Sequence, residues 1–172
     1  MESLFSQLWR IVEEKHNRVL TMNTWRDAKR LLRGEPLDYI IGRIRFSGAL
    51  IDLSRRPLIP RRGTENWVRK AIENIKERNN AEKPIRCLDI FAGSGCIGIA
   101  ILKNIPQATI DFADIDRKML KQIEINLKIN AIDPRRAKVI HSDIFKNINK
   151  DYDYIFANPP YVPLREKDRV AK

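Results

Sequence analysis

The tetrapeptide Asn158-Pro159-Pro160-Tyr161 closes an apolar run and has the makings of a hydrogen-bonding clamp. Two consecutive prolines hold the backbone extended and remove two N–H donors. The carbonyl of Pro159 is thereby left free to accept, and the side-chain amide of Asn158 offers a second acceptor oxygen. Together these suit both hydrogens of one planar NH₂ group. The nitrogen of an amide or aromatic amine is a poor nucleophile because its lone pair is delocalised. Fixing both hydrogens out of plane re-hybridises the nitrogen and aims the lone pair. Tyr161 adds a π face for a substrate or a cation. The plainer reading of the same four residues is a strand end followed by a turn.

A second constellation lies upstream, in Leu88-Asp89-Ile90-Phe91-Ala92-Gly93-Ser94-Gly95-Cys96-Ile97-Gly98. It reads as the end of a strand, a glycine turn and the opening of a helix. Glycines let the backbone turn sharply and come close to a ligand. Asp89, just upstream, can meet a ligand's ammonium or organise the loop, and Phe91, Ala92, Gly93, Ser94 and Gly95 are candidate ligand contacts. Asp114 ends the next strand, where a carboxylate can accept from both ribose hydroxyls. Ile115 beside it is a further candidate contact. Asp116 reads as a helix cap. After the third strand, Asp143 is placed to reach an adenine amino group, with Ile144 packing on the ring; His141 reads as structural or solvent-facing. The glycine turn alone also satisfies the nicotinamide fingerprint, so it leaves the cofactor open.

These residues need strand ends to hold them in one place. After Pro84 the rhythm is strand, loop, helix: strands over 85–91, 108–114, 137–141 and 152–158, with helices over 95–104 and 116–130. That alternation predicts a doubly wound α/β sheet. Ahead of it, Leu4, Leu8, Ile11 and Val12 recur at helical spacing. Thr24 to Asp27 is expected to form a capping box, and Trp25, Ala28, Leu31 and Leu32 then share a face. Gly34 stops that helix. Residues 40–53 read as two short strands folded around Ser47-Gly48. Thr64 is expected to cap a helix that buries Trp67, Val68, Ala71, Ile72 and Ile75. The predicted organisation is a helical segment over 1–33, a hinge and hairpin over 34–63, and the α/β domain over 64–172.

The 172 residues suffice for one core with a small appendage. Two cysteines, Cys87 and Cys96, both fall in core segments, which suits a reducing cytoplasm and gives no metal-site spacing. No apolar run has the length of a membrane span, and the first residues lack the pattern of a secretory signal. The net charge of +11 fits either simple solubility or an acidic partner such as RNA or a ribosome-bound protein.

The Asn-Pro-Pro-Tyr motif is similar to that of methyltransferases acting on adenine in DNA, guanine in RNA and glutamine in protein. Three upstream segments separate these. Gly34-Glu35-Pro36-Leu37-Asp38-Tyr39-Ile40-Ile41-Gly42 resembles the hinge of the release-factor glutamine methyltransferases, the HemK family. Phe46-Ser47-Gly48 resembles the hairpin that follows it there. Leu58-Ile59-Pro60-Arg61-Arg62-Gly63-Thr64-Glu65 resembles that family's Ile-Pro-Arg-Pro-Glu-Thr-Glu signature, with Arg62-Gly63 in place of Pro-Glu. Asp89 through Gly98, Asp114, Asn126, Asp143 and the clamp follow in family order.

The resemblance implies a Rossmann-like fold that uses S-adenosylmethionine, preceded by a small helical segment and a β-hairpin. It implies methylation of the glutamine in a Gly-Gly-Gln loop of a peptide release factor. Asn158 and the Pro159 carbonyl would hold the substrate amide, with Pro60 and Arg61 nearby. The family has a longer N-terminal helical region, and it continues through further strands beyond the motif. On that basis the last strand is expected to be an apolar edge, open to self-association or to a partner chain. A nucleic-acid amino-methyltransferase, a non-catalytic binding subunit and a nicotinamide dehydrogenase are the competing readings.

Overall fold

The computed structural model describes residues 2–79 and 83–160. Ser3 accepts from the Ser6 amide and starts α1 (Leu4–Arg10), which runs on through a π-turn, Ile11–Lys15. Helix α2 (Met22–Leu32) begins with a reciprocal cap: the Thr24 amide donates to the Thr21 hydroxyl, and the Thr21 amide donates to the Thr24 hydroxyl. The capping box therefore sits three residues earlier than the sequence reading placed it, with extended Thr21 as the cap and Thr24 as its partner. The apolar face shared by Trp25, Ala28, Leu31 and Leu32 is not as a whole the one that faces inward. Thr24, Asp27 and Leu31 face inward, whereas Trp25 and Leu32 are 64% and 63% exposed. Asp27 accepts from Lys15 Nζ (2.7 Å) and His16 Nε2 (2.9 Å) of the preceding segment, which ties the polar side of α2 inward, and from Arg30 Nη1 (2.8 Å) on the same helix.

Ile40 and Ile41 belong to a short helix, α3 (Leu37–Ile41), and not to the hairpin. Periodicity does not separate a short buried helix from a short strand. Gly42 ends α3 at φ +85° and leads into β1 (Arg43–Phe46) and β2 (Ala49–Asp52). The strands pair antiparallel around Ser47 (φ +44°) and Gly48 (φ +84°), a two-residue turn with both residues left-handed, as a twisted hairpin prefers. Helix α4 (Arg62–Arg78) starts ahead of the expected Thr64 cap. Its cap residue is Arg61, whose carbonyl already accepts from the Glu65 amide at 3.0 Å. The Glu65 carboxylate is used instead on the hairpin, where it accepts from the Ser47 amide at 2.7 Å.

Four parallel strands follow: β3 (Ile85–Ile90), β4 (Ala108–Asp114), β5 (Ala137–His141) and β6 (Tyr154–Ala157), in the order β5-β4-β3-β6. Helix α5 (Cys96–Asn104) connects β3 to β4, and α6 (Arg117–Ile129) lies between β4 and β5. The main core joins α4, α5 and α6 to Cys87, Ile110, Phe112 and Phe156 on one sheet face. A buried isoleucine or phenylalanine there contributes about 2 kcal/mol by leaving water. Gly98 is obligatory there, because a Cβ would collide with the Phe112 ring and with Ile110. On the opposite face Leu88, Ile90 and Ala113 pack against Phe91, Ile148 and Tyr152, contributed by strand-end and loop segments. Asp111 on β4 anchors that cover, accepting from Lys150 Nζ (3.0 Å) and the Tyr152 hydroxyl (2.9 Å). Among the described residues β6 pairs only with β3, and its Ile155 is 54% exposed. No helix there is long and apolar enough to cross a membrane, and no acidic, histidine and cysteine cluster could hold a metal.

Candidate functional site

Parallel strands bring their carboxyl ends to one edge. The register Ile90↔Ala157 sets Asn158 level with Phe91, and Asp114↔His141 sets Ser142 and Asp143 beside Ile115. Of the sequence candidates, Phe91 to Gly95, Asp114, Ile115, Asp143, Ile144, Asn158, Pro159 and Pro160 all lie at this edge. Asp89 lies beneath it, inside β3. The strand order also reverses across β3, with β4 leaving on one side and β6 arriving on the other. In open α/β sheets, ligands bind at that crevice. Tyr161 lies outside the described residues.

The glycine turn is built from left-handed residues: Phe91 at φ +58°, Gly93 at +53° and Gly95 at +74°. At Gly95 the requirement is double, because a Cβ would also sit 3.1 Å from Ile123 Cγ1. Hydrogen bonds hold the turn from below. The Ala92 amide donates to the Ala113 carbonyl (3.1 Å), and the Gly95 amide donates to the Ala92 carbonyl (2.7 Å). The Gly93 amide donates to Asp114 Oδ2 (2.8 Å), and the Asp116 amide donates to Asp114 Oδ1 (2.9 Å). Asp114 thus ties the turn to the end of β4 while staying half-buried. Asp116 caps α6 by accepting from the Lys118 amide at 2.7 Å.

Asp89 is fully buried. Its Oδ2 accepts from the Gly98 amide at 2.9 Å, fixing the first turn of α5, and its Oδ1 has no partner. Burial pushes its carboxyl up to about 8, against the lowering effect of the Gly98 amide. The Cys96 thiol is raised to about 12 by burial and is inert at neutral pH. An orphaned carboxyl oxygen beneath a left-handed turn fits a ligand that brings positive charge to the turn. The half-buried acid at the end of β4 fits that ligand's hydroxyls.

At β5, the Ser142 hydroxyl donates to the Ile144 carbonyl (2.8 Å) and holds Ile144 at φ +49° with its side chain 49% exposed. Asp143 pairs with Lys146. The His141 ring is bonded to the Ile115 carbonyl through Nε2 at 2.9 Å, which fixes the loop between β4 and α6. Pro60 lines a cleft of about 840 Å³ together with Arg10, Arg43, Arg45, Arg62 and Glu65. No glycine-turn residue lines that cleft. Arg61 is exposed at the head of α4.

Sequence reasoning missed Gln122 and Asn130, which are buried on α6 and bonded to the hairpin backbone, and gave Asn126 no role. The available signal was three amide side chains four residues apart on a helix that otherwise shows an apolar face.

A parallel sheet whose central strand passes through a glycine turn into a helix, with an acid at the next strand end, is a Rossmann-like arrangement, and comparison with known proteins makes it the methyltransferase version. The chain belongs to the methyltransferase small domain family, whose profile matches residues 71–172. It is 36% identical over 141 residues to a release factor glutamine methyltransferase of Flavobacterium psychrophilum, an alignment covering 80% of this chain and 48% of that one. With the release factor glutamine methyltransferase of Fusobacterium nucleatum it shares 35% identity over 168 residues, 96% of this chain and 45% of that one. The chain thus spans about half the length of the curated relatives it matches. The N-terminal domain of human METTL16, solved in complex with SAH, shares the fold: TM-score 0.52 and 19% identity, covering 83% of this chain and 59% of that one.

Proposed function

We propose that this chain grips S-adenosylmethionine and holds the acceptor amide in a methyltransferase that modifies the glutamine of a Gly-Gly-Gln loop in peptide release factors. The observation that carries the reading is the Ile90↔Ala157 register, which sets the Asn158-Pro159 acceptors alongside the glycine turn. The names of the two bacterial relatives support the choice of substrate.

The cofactor supplies a methyl group on a positively charged sulfur. The protein's part is positioning. Asn158 Oδ1 and the Pro159 carbonyl each accept one hydrogen of the substrate NH₂ and turn its lone pair toward the turn at Phe91. Asp114 accepts from the ribose hydroxyls, and Asp143 with Ile144 receives the adenine. Pro60 and Arg61 border the approach of the protein substrate. No general base is needed, because the methylated nitrogen is strongly acidic and loses its proton to water. The rate advantage comes from orientation and from hydrogen bonds that strengthen as charge develops.

A second reading, methylation of an exocyclic amine in RNA or DNA, is favoured by the net charge of +11. Tritium-labelled cofactor offered with release factor, RNA and DNA side by side separates the two. The expected outcome is labelling of the release factor alone, abolished by changing the loop glutamine to glutamate. Labelling that survives that change, or that appears only on nucleic acid, defeats the proposal.

A further inference from the structure

We propose that Asn126 is a positioning residue of this site, tying the glycine turn to hairpin strand β2 so that the two move as one. Gln122, Asn126 and Asn130 lie four residues apart on α6, so they stack along one face of the helix. Strand β2 and the residues after it run past them in the opposite direction. The Leu50 amide donates to Asn130 Oδ1 (2.9 Å), the Asp52 amide to Asn126 Oδ1 (2.7 Å), and the Arg55 amide to Gln122 Oε1 (2.9 Å). Asn130 Nδ2 returns a bond to the Leu50 carbonyl at 2.6 Å. These amides are buried, with Gln122 and Asn126 at 0% exposure. Packing alone does not call for them, since an apolar residue would fill the space without losing water contacts.

Asn126 differs from its two neighbours in one bond. Its Nδ2 donates to the Ser94 carbonyl at 2.8 Å, in the middle of the glycine turn. One fully buried side chain therefore holds β2 by its oxygen and the turn by its nitrogen. The chain leaving β2 is fixed in turn: Arg55 by Gln122, Pro57 by the Tyr39 hydroxyl at 2.7 Å, and Arg56 over the Tyr39 ring at 4.4 Å. Pro60 and Arg61 follow three residues later. The amide row thus sets the distance between the turn and the segment assigned to substrate approach. Only the identity of the ligand rests on the function proposed above.

The test compares Asn126→Ala with Asn130→Ala. Both release the hairpin, and only the first touches the turn. In the ligand-free protein, Asn126→Ala is expected to speed amide exchange over residues 93–98 by about tenfold, the worth of one buried hydrogen bond, with Asn130→Ala within about twofold of wild type there. S-adenosylhomocysteine affinity, read by calorimetry, should fall by about tenfold in the first variant and stay within about twofold in the second. Should Asn126→Ala not fold, Asn126→Asp, measured at a pH where its carboxyl is ionised, keeps the acceptor for the Asp52 amide and loses the donor to Ser94 and the weak 3.4 Å bond to the Asp52 carbonyl. It is expected to loosen the turn and spare the hairpin. Unchanged turn exchange in the folded Asn126 variant, or equal loosening by Asn130→Ala, overturns the proposal. A wild-type protein that fails to bind S-adenosylhomocysteine defeats the cofactor reading, while the exchange comparison still decides the role of Asn126.

Discussion

Asp89→Asn is the substitution whose effects on stability and on binding should part company. The wild-type carboxyl is raised from 3.8 to about 8 by complete burial, with Oδ1 unpartnered. Because the folded value lies above the unfolded one, the folded protein holds the extra proton between these two values. Stability from this group is complete at acid pH and is lost as pH rises toward 8. Each pH unit in that window costs about 1.4 kcal/mol. Wild type should therefore lose about 4 kcal/mol relative to Asp89→Asn between pH 5 and pH 8, since every other titrating group cancels in the comparison. The asparagine keeps an acceptor for the Gly98 amide and leaves an NH₂ unpartnered, a penalty of about 1–3 kcal/mol at all pH values. Urea denaturation of both ligand-free proteins at the two pH values reads this difference directly.

Ligand binding should respond in the opposite sense. The ligand's ammonium, seated on the turn, favours the ionised carboxylate. Wild-type affinity for S-adenosylhomocysteine is expected to rise with pH from pH 6 toward pH 8, by at most about tenfold per unit, while Asp89→Asn stays weak and flat. A stability difference independent of pH, or tight binding by the asparagine variant, refutes the assignment of Asp89 as the buried counter-charge of the site.

Two further substitutions address the edge of the sheet. Asp114→Ala removes the acceptor for both the Gly93 and Asp116 amides and should weaken S-adenosylhomocysteine binding by about 1–3 kcal/mol in calorimetry; unchanged affinity would count against a ribose role. Asn158→Ala should lower the methyl-transfer rate about 10²–10³-fold, by analogy with loss of an oxyanion-hole donor, and leave S-adenosylhomocysteine binding nearly intact. Near-full turnover in that variant would remove Asn158 from the clamp.

The parts of the fold that were legible in the sequence are those governed by simple patterns. Strands β4 and β5 have the bounds their apolar runs give them, and the strand, turn and helix around Gly93 follow from glycine spacing. Local chemistry with two valid solutions was harder. Thr21 and Thr24 are both good caps, and only the reciprocal pair distinguishes them. Ile40-Ile41 is too short a run for periodicity to separate helix from strand. Trp25 and Leu32 mark an apolar stripe by composition, yet the bonds of Asp27 to Lys15 and His16 hold the other side of α2 inward. The buried amides of α6 were invisible for a similar reason: a polar side chain at a buried position is justified only by a distant partner, here the backbone of β2.

The register of β3 carries a consequence for the order in which the site comes into being. Ile90 meets Ala113 on one side and Ala157 on the other. Chains are made from the amino end, and contacts close in sequence form at lower entropic cost than distant ones. By the time Asp114 has been synthesised, the glycine turn and its supporting acid are already present, and the hairpin that α6 will hold has long been made. Asn158 and Pro159 come much later and take their places only when β6 adds to the free side of β3. The proposed cofactor site, complete once Asp143 and Ile144 are made, and the proposed acceptor clamp are thus separated in time as well as in space, and a chain halted between them would carry the first without the second.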